Sequence, residues 1–264
     1  MLIAQLSDLH IRPLGQLYKG VADSNAMFAR ALEHLQGLDR KPDLVLLTGD
    51  LVDEGHPDEY RNAVDLLRTL ELPHLILPGN HDHRAHLRAA FPGHLYLGVD
   101  GPINYRIDEY PVRIVALDTT VPDLHHGHLE QASLDWLKVT LAAEPQKPTL
   151  ILMHHPPFVS GVGYLDKYRY FDAPALANVL QSFSNIEAVL CGHVHRSMAR
   201  RWAGTVVLSC PSTTTEIALQ LGMNAKPQSH LAPPACLLHL WSAEQGLISH
   251  LSLIGQYPGP YPFA

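Results

Sequence analysis

Five short apolar runs in this chain each end in aspartate, asparagine or histidine residues, and this repeated pattern constrains the fold more than any other feature. A short apolar run bounded by turn residues is typical of a buried strand. Ligands of open α/β sheets bind at the carboxyl ends of the strands. We therefore predict that the polar residues after these runs form a site. The runs and their endings are 2–6 with Asp8 and His10, 44–47 with Asp50, 75–77 with Asn80, His81 and Asp82, 150–153 with His154 and His155, and 188–190 with His193 and His195.

Helical patterns separate the runs in the first ninety residues, which predicts βα units and a parallel sheet. Asp23 or Ser24 is expected to cap a first helix over 26–38, and residues 58–70 have apolar side chains at helical spacing. Short runs between 95 and 117 indicate an antiparallel portion. Further helices are predicted at 84–90, 130–142 and 173–183, and further strands at 205–209, 235–241 and 247–253.

Composition and charge exclude several classes of function. The 26 acidic and 19 basic residues give a net charge of −7 without a long basic run, so we expect no polymeric nucleic-acid partner. Cys191, Cys210 and Cys236 are widely spaced in or beside apolar stretches, which favours reduced cysteines and a cytoplasmic protein. No secretory signal pattern and no bilayer-spanning apolar stretch is evident, so we expect no membrane partner.

Histidine is unusually abundant, with 18 residues against 19 lysines and arginines together. The five strand endings supply carboxylates, imidazoles and an amide oxygen but no thiolate, which favours two catalytic first-row metals over a cysteine-type zinc site. Two divalent cations would outweigh the charge of Asp8 and Asp50 and leave a positive pocket. A metal pair can lower the pKa of a bound water and stabilise charge on phosphoryl oxygens. The donor set therefore predicts hydrolysis of a phosphate ester.

Five sequence blocks, in this order along the chain, resemble the signature of the calcineurin-like metallophosphoesterases. They are Asp8-x-His10, Gly49-Asp50-x-x-Asp53, Gly79-Asn80-His81-Asp82, His154 and Gly192-His193-x-His195. Within that family the chain is most similar to bacterial class III cyclic nucleotide phosphodiesterases and their glycerophosphodiesterase relatives, nearly end to end. The resemblance implies a four-layer α/β sandwich of two mixed sheets flanked by helices, and we expect one domain over residues 1–264.

The same resemblance implies a role for each residue of the blocks. Asp50 would bridge two divalent ions, which in this family are manganese, iron, cobalt or zinc. His81 would contact a phosphoryl oxygen or protonate the leaving group, with Asp82 as its orienting partner. Asp53 would lie behind the metal ligands without binding a metal itself. The first ion would be held by Asp8, His10 and His195, and the second by Asn80, His154 and His193.

A long loop, residues 158–171, follows the fourth strand ending and is rich in glycine and tyrosine, which makes a substrate-lining role plausible. Its segment Gly163-Tyr164-Leu165-Asp166 is similar to a pattern in cyclic AMP phosphodiesterases, and the ring of Tyr164 could stack on a base. We expect substrate contacts from Asn80, His81, His155, Tyr164 and Asp166, although His155 could equally be a packed residue. His125, His126 and His128 are interpreted as a solvated turn.

The predicted reaction is hydrolysis of a small phosphodiester, with a cyclic nucleotide such as 3′,5′-cyclic AMP as the expected substrate. Glycerophosphodiesterase relatives can carry a further histidine where this chain has Thr213-Thr214-Thr215, which argues against a glycerophosphodiester. A glycerophosphodiesterase or broad-specificity phosphodiesterase remains the first alternative. A non-catalytic scaffold of the same fold is the second, and it would not require the complete ligand set.

Residues 213–234 are mostly aperiodic and contain the apolar residues Leu219, Leu221 and Met223. We interpret them as a cap or a dimer contact, with an ordinary surface loop as the alternative. A homodimer or higher homo-oligomer is therefore expected.

Overall fold

The computed structural model describes residues 1–222, 224 and 226–262. The strands are β1 Leu2–Leu6, β2 Leu44–Thr48, β3 His74–Leu77, β4 Tyr105–Ile107, β5 Arg113–Leu117, β6 Thr149–Met153, β7 Ile186–Cys191, β8 Met198–Trp202, β9 Thr205–Ser209, β10 Glu216–Ile217, β11 Ser229–His230, β12 Ala235–Ser242 and β13 Gly246–Leu253. The helices are α1 Ser24–Gln36, α2 Pro57–Leu67, α3 Arg84–Ala90, α4 Gln131–Ala143 and α5 Ala173–Leu180. Short 3₁₀ turns lie at Leu95–Leu97 and Leu165–Tyr168.

Two mixed sheets form the body of the structure. The first has the strand order β13-β12-β1-β2-β3, in which β1, β2 and β3 are parallel and β12 and β13 run antiparallel to their neighbours. The second has the order β4-β5-β6-β7-β9-β8, with antiparallel strands only at its two edges. The parallel strands of each sheet end at a shared edge, which brings the loops that follow them together.

Alternate residues of β5, β6 and β7 pack in opposite directions. Ile114, Leu150 and Leu190 belong to the same buried cluster as the residues of β1 to β3, so they face the first sheet. Val115 and Ile151 pack instead with the apolar residues of α4 and α5. Because helices α1 and α2 cover the other face of the first sheet, the order of layers is helix, sheet, sheet, helix. The predicted four-layer sandwich is confirmed.

Helix α1 begins two residues earlier than the periodicity predicts, because the Asp23 carboxylate accepts a hydrogen bond from the backbone N–H of Ala26 at 3.0 Å. The segment 213–234 contains a short hairpin, β10 with β11. Leu219 and Leu221 are exposed there, and Met223 lies outside the described residues. No helix in the described ranges is both long and apolar enough to cross a membrane.

Candidate metal centre

The predicted ligands occupy a strained part of the backbone at the carboxyl ends of the strands. Five of them have positive φ angles, which only a few per cent of residues other than glycine adopt. The residues are Asp8 at 54°, His10 at 44°, Asp50 at 50°, His193 at 69° and His195 at 50°. Such conformations cost of order 1–3 kcal/mol each and concentrate at functional sites. The strained backbone lowers the stability of the fold at these positions, and in return it directs the five side chains toward one another.

One group of donors consists of Asp8, His10 and His195, all buried. The Nε2 atoms of the two histidines lie 3.0 Å apart. The Nε2 atom of His195 is also 3.4 Å from the Oδ1 atom of Asp8. These three side chains converge closely enough to hold one cation.

A second group forms around His154, whose Nε2 atom lies 3.3 Å from the Oδ2 atom of Asp50. The Nδ1 atom of His193 is 2.9 Å from the Oδ1 atom of Asn80. The same Oδ2 atom of Asp50 lies 3.8 Å from Nε2 of His10 in the first group. Asp50 thus stands between the two groups, in the position expected of a shared ligand.

Buried nitrogens without a hydrogen-bond partner show that the residues fit metal ions. The Nε2 atoms of His154 and His193 are buried and unpartnered in the part of the chain that the structure describes. An unpartnered buried polar atom is costly and calls for a ligand. Imidazole, carboxylate and amide oxygen without thiolate form a donor set suited to Mn, Fe, Co or Zn.

Hydrogen bonds on the far side of two rings fix which nitrogen is free. The Nδ1–H group of His154 donates to the carbonyl of Thr48 at 2.8 Å. His195 makes the same bond to the carbonyl of Thr215, also at 2.8 Å. In the neutral form of each ring the lone pair is therefore on Nε2, directed toward the centre, as metal-binding histidines require.

The protonation states follow from burial and from Asp50. Burial lowers the pKa of His10 to about 4, and it also holds the pKa of His193 well below the usual range. Burial also acts to lower the pKa of His154, but the neighbouring Asp50 carboxylate dominates and raises it to about 9. A cation that binds His154 must therefore displace a proton.

His81 lies beside these groups on the wall of the pocket. Its ring is 4.8 Å from that of His10, nearly perpendicular to it. Its Nδ1–H group donates to the backbone carbonyl of Asp53 at 2.6 Å, and its backbone N–H donates to Asp50 at 2.9 Å. Nε2 of His81 has no hydrogen-bond partner among the described residues, so a substrate can bind to it.

The structure corrects the prediction that Asp82 orients His81. The Asp82 carboxylate instead accepts hydrogen bonds from the backbone N–H of Gly79 at 2.8 Å and from the hydroxyl of Tyr60 at 3.0 Å. It also accepts the N–H of Leu51 at 3.1 Å. Asp82 therefore ties together the two loops that follow β2 and β3, and the backbone of Asp53 orients the His81 ring.

A cavity of about 710 Å³ opens over the candidate ligands. Its wall includes the predicted residue Tyr164, whose hydroxyl lies 3.5 Å from the carbonyl of Gln228. Tyr168 and Lys167 of the same loop also line it, and Tyr18 and Lys19 line another part. The loop 158–171 is thus part of the pocket.

Two residues that were expected to contact the substrate, His155 and Asp166, do not line the cavity. His155 is fully buried and off the cavity wall, with Nδ1 2.7 Å from the Thr119 hydroxyl and Nε2 3.2 Å from the His125 carbonyl. His155 therefore has the surroundings of a packed residue, which is the alternative to a substrate contact. Asp166 accepts hydrogen bonds from the N–H and hydroxyl of Ser160, both at 2.7 Å, and so folds its own loop. Asp166 is not among the residues that line the cavity, and its expected substrate contact stays a prediction.

Sequence reasoning missed His125, which lines the cavity. Its Nδ1 atom accepts a hydrogen bond from the Asn80 amide at 3.0 Å. His125 is also exposed in a bend, as expected of a solvated turn, so it faces both solvent and the cavity. A signal was available, because the loop that carries His125 follows β5, which is parallel to β6 and ends at the same edge.

Tyr18 also lines the cavity and contacts one of the candidate ligands. Its ring stacks on His10 with centroids 4.4 Å apart and an angle of 18° between the planes. No pattern in the sequence predicts this contact, since it depends on how the loop after β1 folds back.

Comparisons with known proteins agree with the fold. The chain is 34% identical over 264 residues to a protein of Arcobacter nitrofigilis named a probable glycerophosphodiester phosphodiesterase, covering 100% of this chain and 97% of that protein. It is 30% identical over 216 residues to the 3′,5′-cyclic adenosine monophosphate phosphodiesterase of Escherichia coli K12, covering 81% of this chain and 76% of that protein.

Among solved structures, a dimetal phosphatase from Danio rerio superposes with a TM-score of 0.64 at 16% identity, covering 97% of this chain and 99% of that one. At this identity the likeness concerns the fold alone. The family model described as calcineurin-like phosphoesterase matches residues 1–197. This chain therefore belongs to the calcineurin-like phosphoesterase family, as its sequence blocks predict.

Proposed function

We propose that this protein is a binuclear metal-dependent phosphodiesterase that hydrolyses a small phosphodiester, with a cyclic nucleotide such as 3′,5′-cyclic AMP as its substrate. One observation carries the proposal: the Asp50 carboxylate stands between two groups of buried imidazoles, within 3.8 Å of His10 and 3.3 Å of His154. His81 lies next to this pair with one ring nitrogen free.

Each side chain has a defined task in this proposal. When bound, the two metal ions would activate a water and neutralise charge on the phosphoryl oxygens. Asp8, His10 and His195 would hold one ion, Asn80, His154 and His193 the other, and Asp50 both. Since Nδ1 of His81 donates to the Asp53 carbonyl, a proton held at Nε2 can pass to the leaving oxygen.

The outer part of the pocket favours a nucleotide. Tyr164 and Tyr168 place two aromatic rings on the wall, and a base can stack on such rings. Thr215 lines the same wall, in the segment where glycerophosphodiesterase relatives can carry a histidine. Lys19 and Lys167 add positive charge, which suits an anionic substrate better than one with a cationic head group such as glycerophosphoethanolamine.

A glycerophosphodiester is the second candidate substrate, because the relative of Arcobacter nitrofigilis with that name matches over the full chain. The test is a side-by-side measurement of kcat/KM, with manganese added, on 3′,5′-cyclic AMP, 2′,3′-cyclic AMP, glycerophosphoethanolamine and bis-(p-nitrophenyl) phosphate. The highest value on a cyclic nucleotide supports the proposal. The highest value on glycerophosphoethanolamine would identify a glycerophosphodiester as the substrate instead. If the protein neither hydrolyses a diester nor binds metal, it would be a non-catalytic scaffold of the same fold.

The cellular location, the number of domains and the oligomeric state of the protein are inferred from its cysteines and its exposed apolar residues. We infer a cytoplasmic single-domain protein, since the three cysteines are free and buried. We also infer a homodimer in which residues 213–234 form a cap or contact, supported by the exposed Leu219 and Leu221. Sedimentation at micromolar concentration tests the dimer, and a monomer there would remove it.

A further inference from the structure

Arg12 is held at the centre of a polar network directly behind the candidate metal centre. Its Nη1 atom lies 3.0 Å from the Asp53 carboxylate, 3.0 Å from Glu59 and 2.9 Å from Glu54. Its Nη2 atom donates to the side chain of Gln16 at 2.9 Å. The Arg12 side chain is only 12% exposed and that of Glu59 is fully buried. These contacts together hold the guanidinium group of Arg12 in a single position and orientation.

The backbone of Arg12 is fixed as well. Its N–H donates to the side-chain oxygen of Asn25 at 3.1 Å, and its carbonyl accepts from the amides of Asn25 at 2.9 Å and Asn62 at 2.7 Å. Helices α1 and α2 therefore both hold this residue. The network reaches from the two helices to the loops after β1 and β2.

Asp53 connects Arg12 to two histidines, His10 through its side chain and His81 through its backbone carbonyl. Its Oδ2 atom accepts a hydrogen bond from Arg12, and its Oδ1 atom faces Nδ1 of His10 at 3.4 Å, an electrostatic contact without hydrogen-bond geometry. Its backbone carbonyl accepts the hydrogen bond from His81 at 2.6 Å. A carboxylate on the far side of a metal-binding histidine favours a proton on the nitrogen that faces it and so helps to orient the ring. A rotation of the Asp53 side chain would release His10, and a shift of its backbone would release His81.

We propose that Arg12 is a positioning residue that acts through Asp53 on both His10 and His81, so that one guanidinium sets the first metal site and the leaving-group donor together. The inference rests on the proposed metal centre and deepens it. Arginine suits this task because its planar group holds several carboxylate oxygens in fixed directions, whereas a lysine presents a single flexible charge.

The test measures Mn²⁺ affinity by chelator competition and turnover of bis-(p-nitrophenyl) phosphate at saturating Mn²⁺. Arg12→Met is expected to weaken the first Mn²⁺ site at least tenfold, in the 10- to 100-fold range typical of lost support for metal ligands. Its kcat should fall as well, because His81 loses its orientation. Unchanged affinity and kcat would overturn the proposal.

A double-mutant cycle separates positioning from a general loss of structure. If Arg12 acts through Asp53, the affinity loss in Arg12→Met with Asp53→Ala should be close to that in Asp53→Ala alone. Fully additive losses would show that Arg12 does not act through Asp53. If Arg12→Met fails to fold, Arg12→Lys is used instead, with an expected loss of about threefold or more, and wild-type affinity there would contradict the proposal.

Arg113→Met is the matched control. Arg113 is also a buried arginine in a hydrogen-bond network, with the side chain of Thr149 and the carbonyl of Thr140 as partners, but it lies at the amino end of β5. The control should lower Tm and leave Mn²⁺ affinity unchanged. A wild-type protein that binds Mn²⁺ without hydrolysing any phosphodiester would remove the proposed function, and the affinity measurements would still test Arg12.

Discussion

The Nε2 atoms of His10 and His195 lie 3.0 Å apart, although 185 positions separate the two residues in the chain. The Nδ1–H group of His195 donates to the Thr215 carbonyl, and Nδ1 of His10 faces the Asp53 carboxylate. Nε2 of His195 therefore directs its lone pair toward His10. At 3.0 Å the two nitrogens can share either a proton or a metal ion, and the Asp8 carboxylate converges on the same point, which is the physical basis for a metal site here.

Replacing Asn80 tests the second metal site. Asn80→Ala removes the amide oxygen that lies 2.9 Å from His193, so we expect more than tenfold weaker binding of one Mn²⁺ ion and loss of most activity. The fold should be intact by circular dichroism. Asn178→Ala, on the exposed side of α5, is the control and should match the wild type. Full turnover in Asn80→Ala would refute the assignment of this site.

Replacing His81 tests the leaving-group donor. His81→Gln should lower kcat by roughly 10²- to 10⁴-fold, the usual contribution of a positioned acid. The loss should be larger for an alkyl phosphodiester than for bis-(p-nitrophenyl) phosphate, because p-nitrophenolate leaves without protonation. His83→Gln, an exposed neighbour, serves as the control. Equal losses on both substrates would assign His81 to phosphoryl binding instead.

Gly192 allows a test of packing at the centre. A methyl group added there would collide with the hydroxyl of Ser7 and come within 2.8 Å of the Asp8 carboxylate. Gly192→Ala should therefore displace Asp8 and weaken Mn²⁺ binding strongly. Gly93→Ala, where nothing lies within 4 Å, should bind Mn²⁺ as the wild type does. Equal affinities in the two variants would show that Asp8 is not needed in its present position.

A buried histidine far from the substrate predicts a pH dependence of stability. His239 is fully buried, and its Nε2–H group donates to the side-chain oxygen of Gln5 at 3.1 Å. Burial lowers its pKa from 6.5 to about 3. Between these pH values the unfolded chain binds a proton that the folded chain does not, so stability falls as pH falls. The full contribution is on the order of 5 kcal/mol and is reached at about pH 3.

Denaturant unfolding of His239→Gln and the wild type from pH 7 to pH 4 checks this prediction. The difference in unfolding free energy between the two proteins should shift in favour of the variant as the pH falls. His250→Gln, an exposed residue on the neighbouring strand, should give a constant difference from the wild type. A constant difference for His239→Gln as well would mean that His239 is not kept neutral by burial.

The convergence of the expected ligands could be predicted from the sequence, because each of them follows a parallel strand directly. The carboxyl ends of β1, β2, β3, β6 and β7 carry their residues to one edge regardless of the details of the loops. Long-range pairing is harder to predict. The placement of β12 between β13 and β1 brings residues 2 and 240 into register, and no local pattern specifies it.

Side-chain directions after the strands were the main source of error. His154 and His155 are adjacent, yet one joins the centre and the other packs against Thr119, with their rings nearly perpendicular. Asp82 likewise turns from its neighbour His81 toward backbone N–H groups of Gly79 and Leu51. Adjacency in sequence predicts contact poorly where the backbone turns sharply.

The most direct test of the metal centre is anomalous diffraction from crystals of this protein grown with Mn²⁺. We expect two manganese peaks per chain, both within coordination distance of Asp50, one beside His10 and His195 and the other beside His154 and His193. A single peak, or two peaks that do not share Asp50, would contradict the binuclear centre on which the proposed phosphodiesterase function depends.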